Sequence, residues 1–236
     1  MMISLLGGGA KQRQPGDMER IAVIGNAGGG KSTLARALAT RRGLPYVEID
    51  SLLWCDGWQL APENEYEAAH ARLIAEPRWV IDGLGRMESL AARLARAGEI
   101  VLVDLPLWMH FWLAAERQIA WARGEIAHPP AGAREMPPTE DLFRTIYEVD
   151  RDWMPELRRL VATAEASGAR VERITDLEAL NGAASRSAQK QDRRALGPAI
   201  CVCAVACQPC PPAVRRQLSI REYSNQVRSR YGAVSK

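Results

Sequence analysis

Lysine is nearly absent from this chain. Of 31 basic residues among 236, only Lys11, Lys31, Lys190 and Lys236 are lysines, and from position 12 to 189 arginine fills every basic position except 31. A compact ammonium at that one place marks a site that a planar guanidinium does not fit. Long apolar runs are missing too. None reaches the roughly 18 residues that cross a bilayer, so no membrane span is expected. The opening stretch MMISLLGGGAKQRQPGD has no basic group ahead of its apolar residues, so no secretory signal is expected, and Met18 offers a second start. Histidine is scarce. His70, His110 and His128 lack any metal-ligand spacing and read as ordinary helix and loop residues. The formal net charge is only +3, and it is uneven. Residues 181–236 hold ten of the basic residues and two of the acidic ones, which leaves the rest mildly acidic. That balance gives no nucleic-acid footprint by bulk charge.

Cysteine is sparse in the body, where Cys55 stands alone, and crowded near the end. Cys201, Cys203, Cys207 and Cys210 fall in CVCAVACQPCPP. Their C-x-C-x3-C-x2-C spacing lacks the two separated knuckles of a zinc ribbon. The expectation is a poorly ordered tail of reduced thiols in a cytoplasmic protein.

Glycine, by contrast, is concentrated where lysine reappears. GNAGGGKST follows the apolar run Ile21-Ala22-Val23-Ile24. Gly25, Gly30, Lys31 and Ser32 fit G-x-x-x-x-G-K-[ST], the phosphate-binding loop. Glycines let successive backbone N–H groups turn inward toward phosphate oxygens. A helix starting near Lys31 adds the positive end of its dipole. The nucleotide-binding residues expected are Gly25, Asn26, Ala27, Gly28, Gly29, Gly30, Lys31, Ser32 and Thr33. Lys31 reaches the β- and γ-phosphates and the Ser32 hydroxyl ligates Mg²⁺. The competing reading is a merely flexible glycine turn, and the strand before it and helix pattern after it argue against that.

At 47% hydrophobic the chain can bury a sizeable core. Strand-like runs at Ile21–Ile24, Tyr46–Ile49, Trp79–Ile81, Ile100–Val103 and Arg170–Ile174 alternate with helix-period segments. These segments are one marked by Leu34 and Leu38 and stopped by Gly43, another at Glu63–Ala75, one marked by Met87, Leu90 and Leu94, another at Leu107–Trp121, and one carrying Leu142, Ile146, Val149 and Trp153 behind a Thr139 cap. The alternation predicts an α/β fold with a parallel sheet covered on both faces. Residues 124–138 hold four prolines and two glycines and read as a loop long enough to be a lid. Beyond Leu180 the periodicity fades. The domains expected are an extension at 1–17, a kinase-like domain at 18–180 and a disordered basic tail at 181–236.

Three aspartates end predicted strands: Asp50 in YVEIDSLLW, Asp82 in WVIDGLGR and Asp104 in VLVDLP. Ligands of doubly wound sheets sit at the carboxyl ends of strands. A carboxylate there can hold Mg²⁺ through water beside Ser32. For any one of them the alternative is a helix cap or a loop ion pair. Arg86 is placed to grip an anionic acceptor bidentately. Trp54 and Trp58 can stack an acceptor ring, but with seven tryptophans between positions 54 and 153 core packing is the simpler reading.

The segments RIAVIGNAGGGKSTLARALA, LPYVEIDSLLWCDGW, RWVIDGLGR and VLVDLPLWMHFW, in that order, resemble the small P-loop proteins called DNA topology modulation proteins. These are adenylate-kinase-like members of the nucleoside and nucleotide kinase group. The resemblance spans about residues 18–180. It implies a P-loop NTPase three-layer sandwich with a five-stranded parallel sheet in the order 2-3-1-4-5, a helical lid, and ATP with Mg²⁺ as donor. It also implies that Asp82 serves the Mg²⁺ shell and Arg86 the acceptor. Lid arginines would fall on Arg117 and Arg123, with weaker matches at Arg144 and Arg151. The strand order implied puts Asp82 beside the phosphate loop, leaves Asp104 secondary, and turns Asp50 toward the acceptor. The adenylate-kinase proline before the acceptor arginine is Gly85 here.

The function these readings favour is Mg²⁺- and ATP-dependent phosphoryl transfer to a small acceptor of nucleotide or nucleoside type. The alternative is a regulatory P-loop ATPase acting through a protein or DNA partner. No water-activating glutamate follows either strand-end aspartate, since Asp82 precedes Gly83 and Asp104 precedes Leu105, which favours the kinase. A binding module with a dead site does not fit the presence of Lys31, Ser32 and Asp82 together.

Overall fold

The computed structural model describes residues 19–55, 59–126 and 136–188. Strand β1 (Glu19–Gly25) leads through the glycine loop into α1 (Lys31–Arg42). Then come β2 (Tyr46–Glu48), the short α2 (Asp50–Leu53), a small hairpin of β3 (Trp54–Cys55) and β4 (Gln59–Leu60), and α3 (Glu63–Ala75). Next are β5 (Arg78–Asp82), α4 (Met87–Arg96), β6 (Glu99–Val103) and α5 (Leu107–Ala122). The described chain finishes with α6 (Thr139–Glu148), a π-helical turn (Val149–Trp153), α7 (Met154–Ala166), β7 (Arg170–Ile174) and α8 (Leu177–Ala188).

The main sheet has the order β2-β5-β1-β6-β7, and every pair in it is parallel. Counting only these five strands along the chain, the order is 2-3-1-4-5, as the resemblance implied. β1 lies between β5, with Val23 opposite Asp82, and β6, with Gly25 opposite Val103. The central strands β1, β5 and β6 are buried on both faces, the edge strands β2 and β7 only in part, and the two-residue period divides the side chains between two cores. Ala22, Ile24, Ile81, Ile100 and Leu102 face α3, α4 and α7. Ile21, Val23, Val80, Val101 and Val103 face α1, α5 and α8. The result is the three-layer α/β arrangement.

Three details differ from the sequence reading. Thr139 is the first helical residue of α6 rather than its cap, because Pro138 occupies the cap position and no side chain caps that end. The spacing of Leu142, Ile146, Val149 and Trp153 crosses from α6 into the π-helical turn, and a separate helix, α7, follows. Pro155 in the first turn of α7 lacks an N–H, so the helix is restarted there instead of continued. α8 runs eight residues past Leu180, burying Leu180 and Ala183 in the second core. The domain edge expected at 180 therefore falls inside a helix. Most of the anticipated lid, Trp58, His128, Met18, the 1–17 extension and the four clustered cysteines lie outside the described residues. Among the described residues, no helix is long and apolar enough to cross a membrane.

Candidate functional site

The phosphate loop has the backbone its glycines predict. Gly25 sits at φ 141, and a Cβ there would collide with the Val103 carbonyl oxygen, so only glycine lets β1 turn out of the sheet beside β6. Gly30 caps α1 in the left-handed region. Asn26 is fully buried and braces the loop from inside. Its Nδ2 donates to the Ile146 carbonyl at 2.8 Å and its Oδ1 accepts from the Ala27 N–H at 2.7 Å. His110, read from sequence as an ordinary helix residue, is also part of this support. Its buried Nδ1 lies 2.8 Å from the Ala27 carbonyl oxygen, and its ring packs under Gly29. Burial, the largest influence, pushes its pKa down, which favours neutral imidazole. In that form Nδ1–H donates to the carbonyl.

Lys31 opens α1, and its Nζ donates to the Asn26 carbonyl at 2.6 Å. Burial lowers its pKa most, while Asp82 and Asp50 pull the other way, so the ammonium stands within the field of both carboxylates. Ser32 follows, half-buried, on the first turn of α1, and Thr33 is exposed.

Asp82 ends β5 and is 1% exposed. Its Oδ2 accepts from the Tyr46 hydroxyl at 3.3 Å, and its buried Oδ1 has no partner. A buried carboxylate oxygen left open is costly unless a cation or a bound water completes it. Asp50 lies two residues past the end of β2, as the first residue of α2. No side chain caps that helix, so the simple capping role is not what it does. Burial chiefly, then Asp82, raises its pKa to about 6. Glu48, which the sequence reading passed over, completes an acidic trio. Burial, then Asp82 and Asp50, raises it to about 7, and Arg36 stands 3.6 Å away. Its alternation with Asp50 across Ile49 was the available signal. Asp104 takes no part. Arg158 of α7 holds it with two hydrogen bonds, at 2.9 and 2.7 Å.

Among the arginines, Arg117 of α5 alone of the expected lid set joins the site. It lies in the field of Lys31, Glu48 and Asp50, and burial lowers its pKa. Arg123 is exposed at the C-terminal cap of α5. Arg144 pairs with Glu140, and Arg151 pairs with Asp152 and lies over Tyr147. Arg86 caps α4 and lies over the Tyr66 ring. Its Nη2 donates to the Ala61 carbonyl at 3.2 Å, while its buried Nε has no partner. Gly85 before it has φ 64, which proline cannot adopt, and a Cβ there would strike the Tyr66 hydroxyl. That accounts for the missing proline. Trp54 is half-buried and packs on the first core.

No protein-family model matches the chain, and no curated protein sequence matches it. Solved structures similar to it include a gluconokinase from Sinorhizobium meliloti 1021, at 18% identity over 72% of this chain and 92% of that one, with a TM-score of 0.42. A shikimate kinase from Acinetobacter baumannii in complex with shikimate is 13% identical over 72% and 90%, with a TM-score of 0.45. A shikimate kinase from Bacteroides thetaiotaomicron is 15% identical over 73% and 97%, with a TM-score of 0.44. Likeness of this degree concerns the arrangement of sheet and helices, so the site is read from its own side chains.

Those side chains fit a Mg²⁺–nucleotide. Among the described residues, no group of three or more His, Cys, Asp or Glu is arranged to hold a metal by itself. Mg²⁺ in such sites is held by one or two protein groups together with phosphate oxygens and water. Ser32 and the open oxygen of Asp82 supply that number.

Proposed function

We propose that this chain is an ATP- and Mg²⁺-dependent kinase that phosphorylates a small acceptor, of the nucleoside or nucleotide kinase type and related to the DNA topology modulation proteins that its motifs resemble. The observation that carries this reading is the meeting of Lys31, from the phosphate loop, with Asp82 and Asp50, from the ends of neighbouring strands, in one electrostatic cluster. Mg²⁺–ATP, when bound, supplies the phosphoryl group and neutralises part of its charge. The loop N–H groups and Lys31 hold the phosphates, and Ser32 and Asp82 hold the cation. Arg117 stands where positive charge steadies the group in transfer. Asp50, with a pKa raised to about 6, is ionised at neutral pH yet basic enough to take a proton from an acceptor hydroxyl. Arg86, with its open Nε, faces the acceptor on this reading.

ADP release screened over nucleosides, nucleoside monophosphates and small hydroxylated acids tests it, with Lys31→Ala as control. At least one acceptor is expected to stimulate ADP formation and to gain phosphate. Lys31→Ala is expected to lower the rate by about 10² to 10³, the effect of losing one transition-state charge contact. Stimulation by a protein or DNA partner, with no phosphate on any small molecule, would overturn the kinase reading in favour of a regulatory ATPase.

A further inference from the structure

Arg93 lies on α4 at the apolar stripe of Leu90 and Leu94 and is 0% exposed. Its Nη2 donates to the carbonyls of Gly83, at 2.9 Å, and Leu84, at 2.7 Å. Its Nε and Nη1 are buried without hydrogen-bond partners. The charge thus rests on two peptide oxygens in place of a carboxylate. The turn it holds is central to the site. Gly83 follows Asp82 and donates its N–H to the Val23 carbonyl of β1 at 3.0 Å. The Asp50 carboxylate lies alongside, 3.5 Å from where a Gly83 Cβ would be. Arg86 begins two residues beyond Leu84. Asp50 and Asp82 both lie within the field of the Arg93 charge.

An unpaired guanidinium inside a core is a poor way to stabilise a fold. Apolar residues of similar volume commonly replace buried ions at no loss of stability, or with a gain. The position asks for something else. We propose that Arg93 is a positioning residue, which clamps the Gly83–Leu84 turn from beneath and so fixes Asp82, Asp50 and Arg86 relative to one another. It touches neither nucleotide nor acceptor, and its role in transfer rests on the kinase reading above. Its role in seating Asp82 does not.

The test uses full-length protein and ATP as the probe, measured with Mg²⁺ and in EDTA, together with thermal melting. Arg93→Met is expected to lose some melting temperature, because it leaves the Gly83 and Leu84 carbonyls without their donor, yet to bind ATP normally in EDTA. The strengthening of ATP binding by Mg²⁺ should shrink about tenfold, the usual effect of losing a residue that orients a metal-holding group. Arg93→Lys, which keeps the charge and can reach a carbonyl, should restore part of it. Arg93→Gln, a neutral donor, replaces the Met variant if that one does not fold, and the same loss is expected. A native Mg²⁺ response in whichever neutral variant folds overturns the proposal. So does a parallel loss of melting temperature and EDTA-state ATP binding, or failure of both neutral variants to fold, since Arg93 would then serve the fold alone. If the native protein phosphorylates no small acceptor, the kinase reading falls, and the Mg²⁺ response still decides the role of Arg93.

Discussion

Asp82 raises the cost of ionising Asp50, yet the two sit in different surroundings. Asp82 has one oxygen on Tyr46 and one open, while Asp50 lies beyond the next strand, against the Gly83 turn. Asp82→Asn is expected to raise the Mg²⁺ requirement and slow transfer with every acceptor. Asp50→Asn should leave ATP affinity intact and reduce turnover by roughly 10² to 10⁴ for an acceptor that reacts through a hydroxyl, the usual worth of a general base. Native turnover should rise with pH through about 6, where Asp50 loses its proton, and the Asn variant should lack that rise. Steady-state kinetics across Mg²⁺ and pH decide it. A larger Mg²⁺ defect in Asp104→Asn than in Asp82→Asn would reverse the ranking, although Arg158 already occupies Asp104. The phosphate loop was legible because its chemistry is local, fixed by residue type over nine positions. Arg93 and His110 were not, because carbonyl oxygens, which leave no trace in sequence, define them, and Glu48 was not, because only the fold brings Asp82 of another strand beside it. One signal was present for Arg93: it stands three residues after Leu90, on the stripe that should have been wholly apolar.

At the scale of elements, α8 ties the end of the described chain to the loop. Leu180 approaches to 3.1 Å of where a Gly30 Cβ would stand, and Ala183 is buried one turn on. Ending the chain after Leu180 would leave a single turn, too short to persist without its partners. That truncation is expected to cost on the order of 2 kcal/mol, or roughly 4–8 °C in melting temperature, while ending it after Ala188 should change little. Calorimetry on both truncations checks it, and equal melting temperatures would mean that α8 contributes nothing. The three central strands were readable because double burial writes them as nearly continuous apolar runs, while β7, half exposed and carrying three charged residues, is the weaker signal. α2 and the β3–β4 hairpin are too short to show any period. α7 does carry one, in Met154, Leu157, Val161 and Ala164, but Pro155 in its first turn resembles a stop when it is a start.

For the whole molecule, the acidic cluster makes stability depend on pH with a definite sign. Glu48 and Asp50 have ordinary values of 4.5 and 3.8 and are raised to about 7 and about 6 on folding. Between these limits the folded chain holds protons that the unfolded chain has released. Their contribution therefore falls as pH rises through the window and is lost above about 7. His70, lowered from 6.5 to about 4 by burial and by Arg93, acts in the opposite direction over part of the same range. A difference measurement separates them. The melting temperature of Glu48→Gln/Asp50→Asn, relative to native, should be near zero at pH 4, rise toward pH 7 and then level off. A difference of the same size at pH 4 and pH 7.5 would remove the cluster as its cause.

One feature of the sheet decides what can move in this protein. The Asp82 carbonyl accepts the Ile49 N–H at 2.8 Å, and the next residue, Gly83, donates to Val23 at 3.0 Å, so the aspartate's backbone is fastened on both sides. It is a fixed anvil, anchored to the strand that carries the phosphate loop. Any stroke that brings charge onto a transferring group must then come from outside the sheet, and among the charged groups of the cluster Arg117 is carried by α5, a helix that packs mainly on α6.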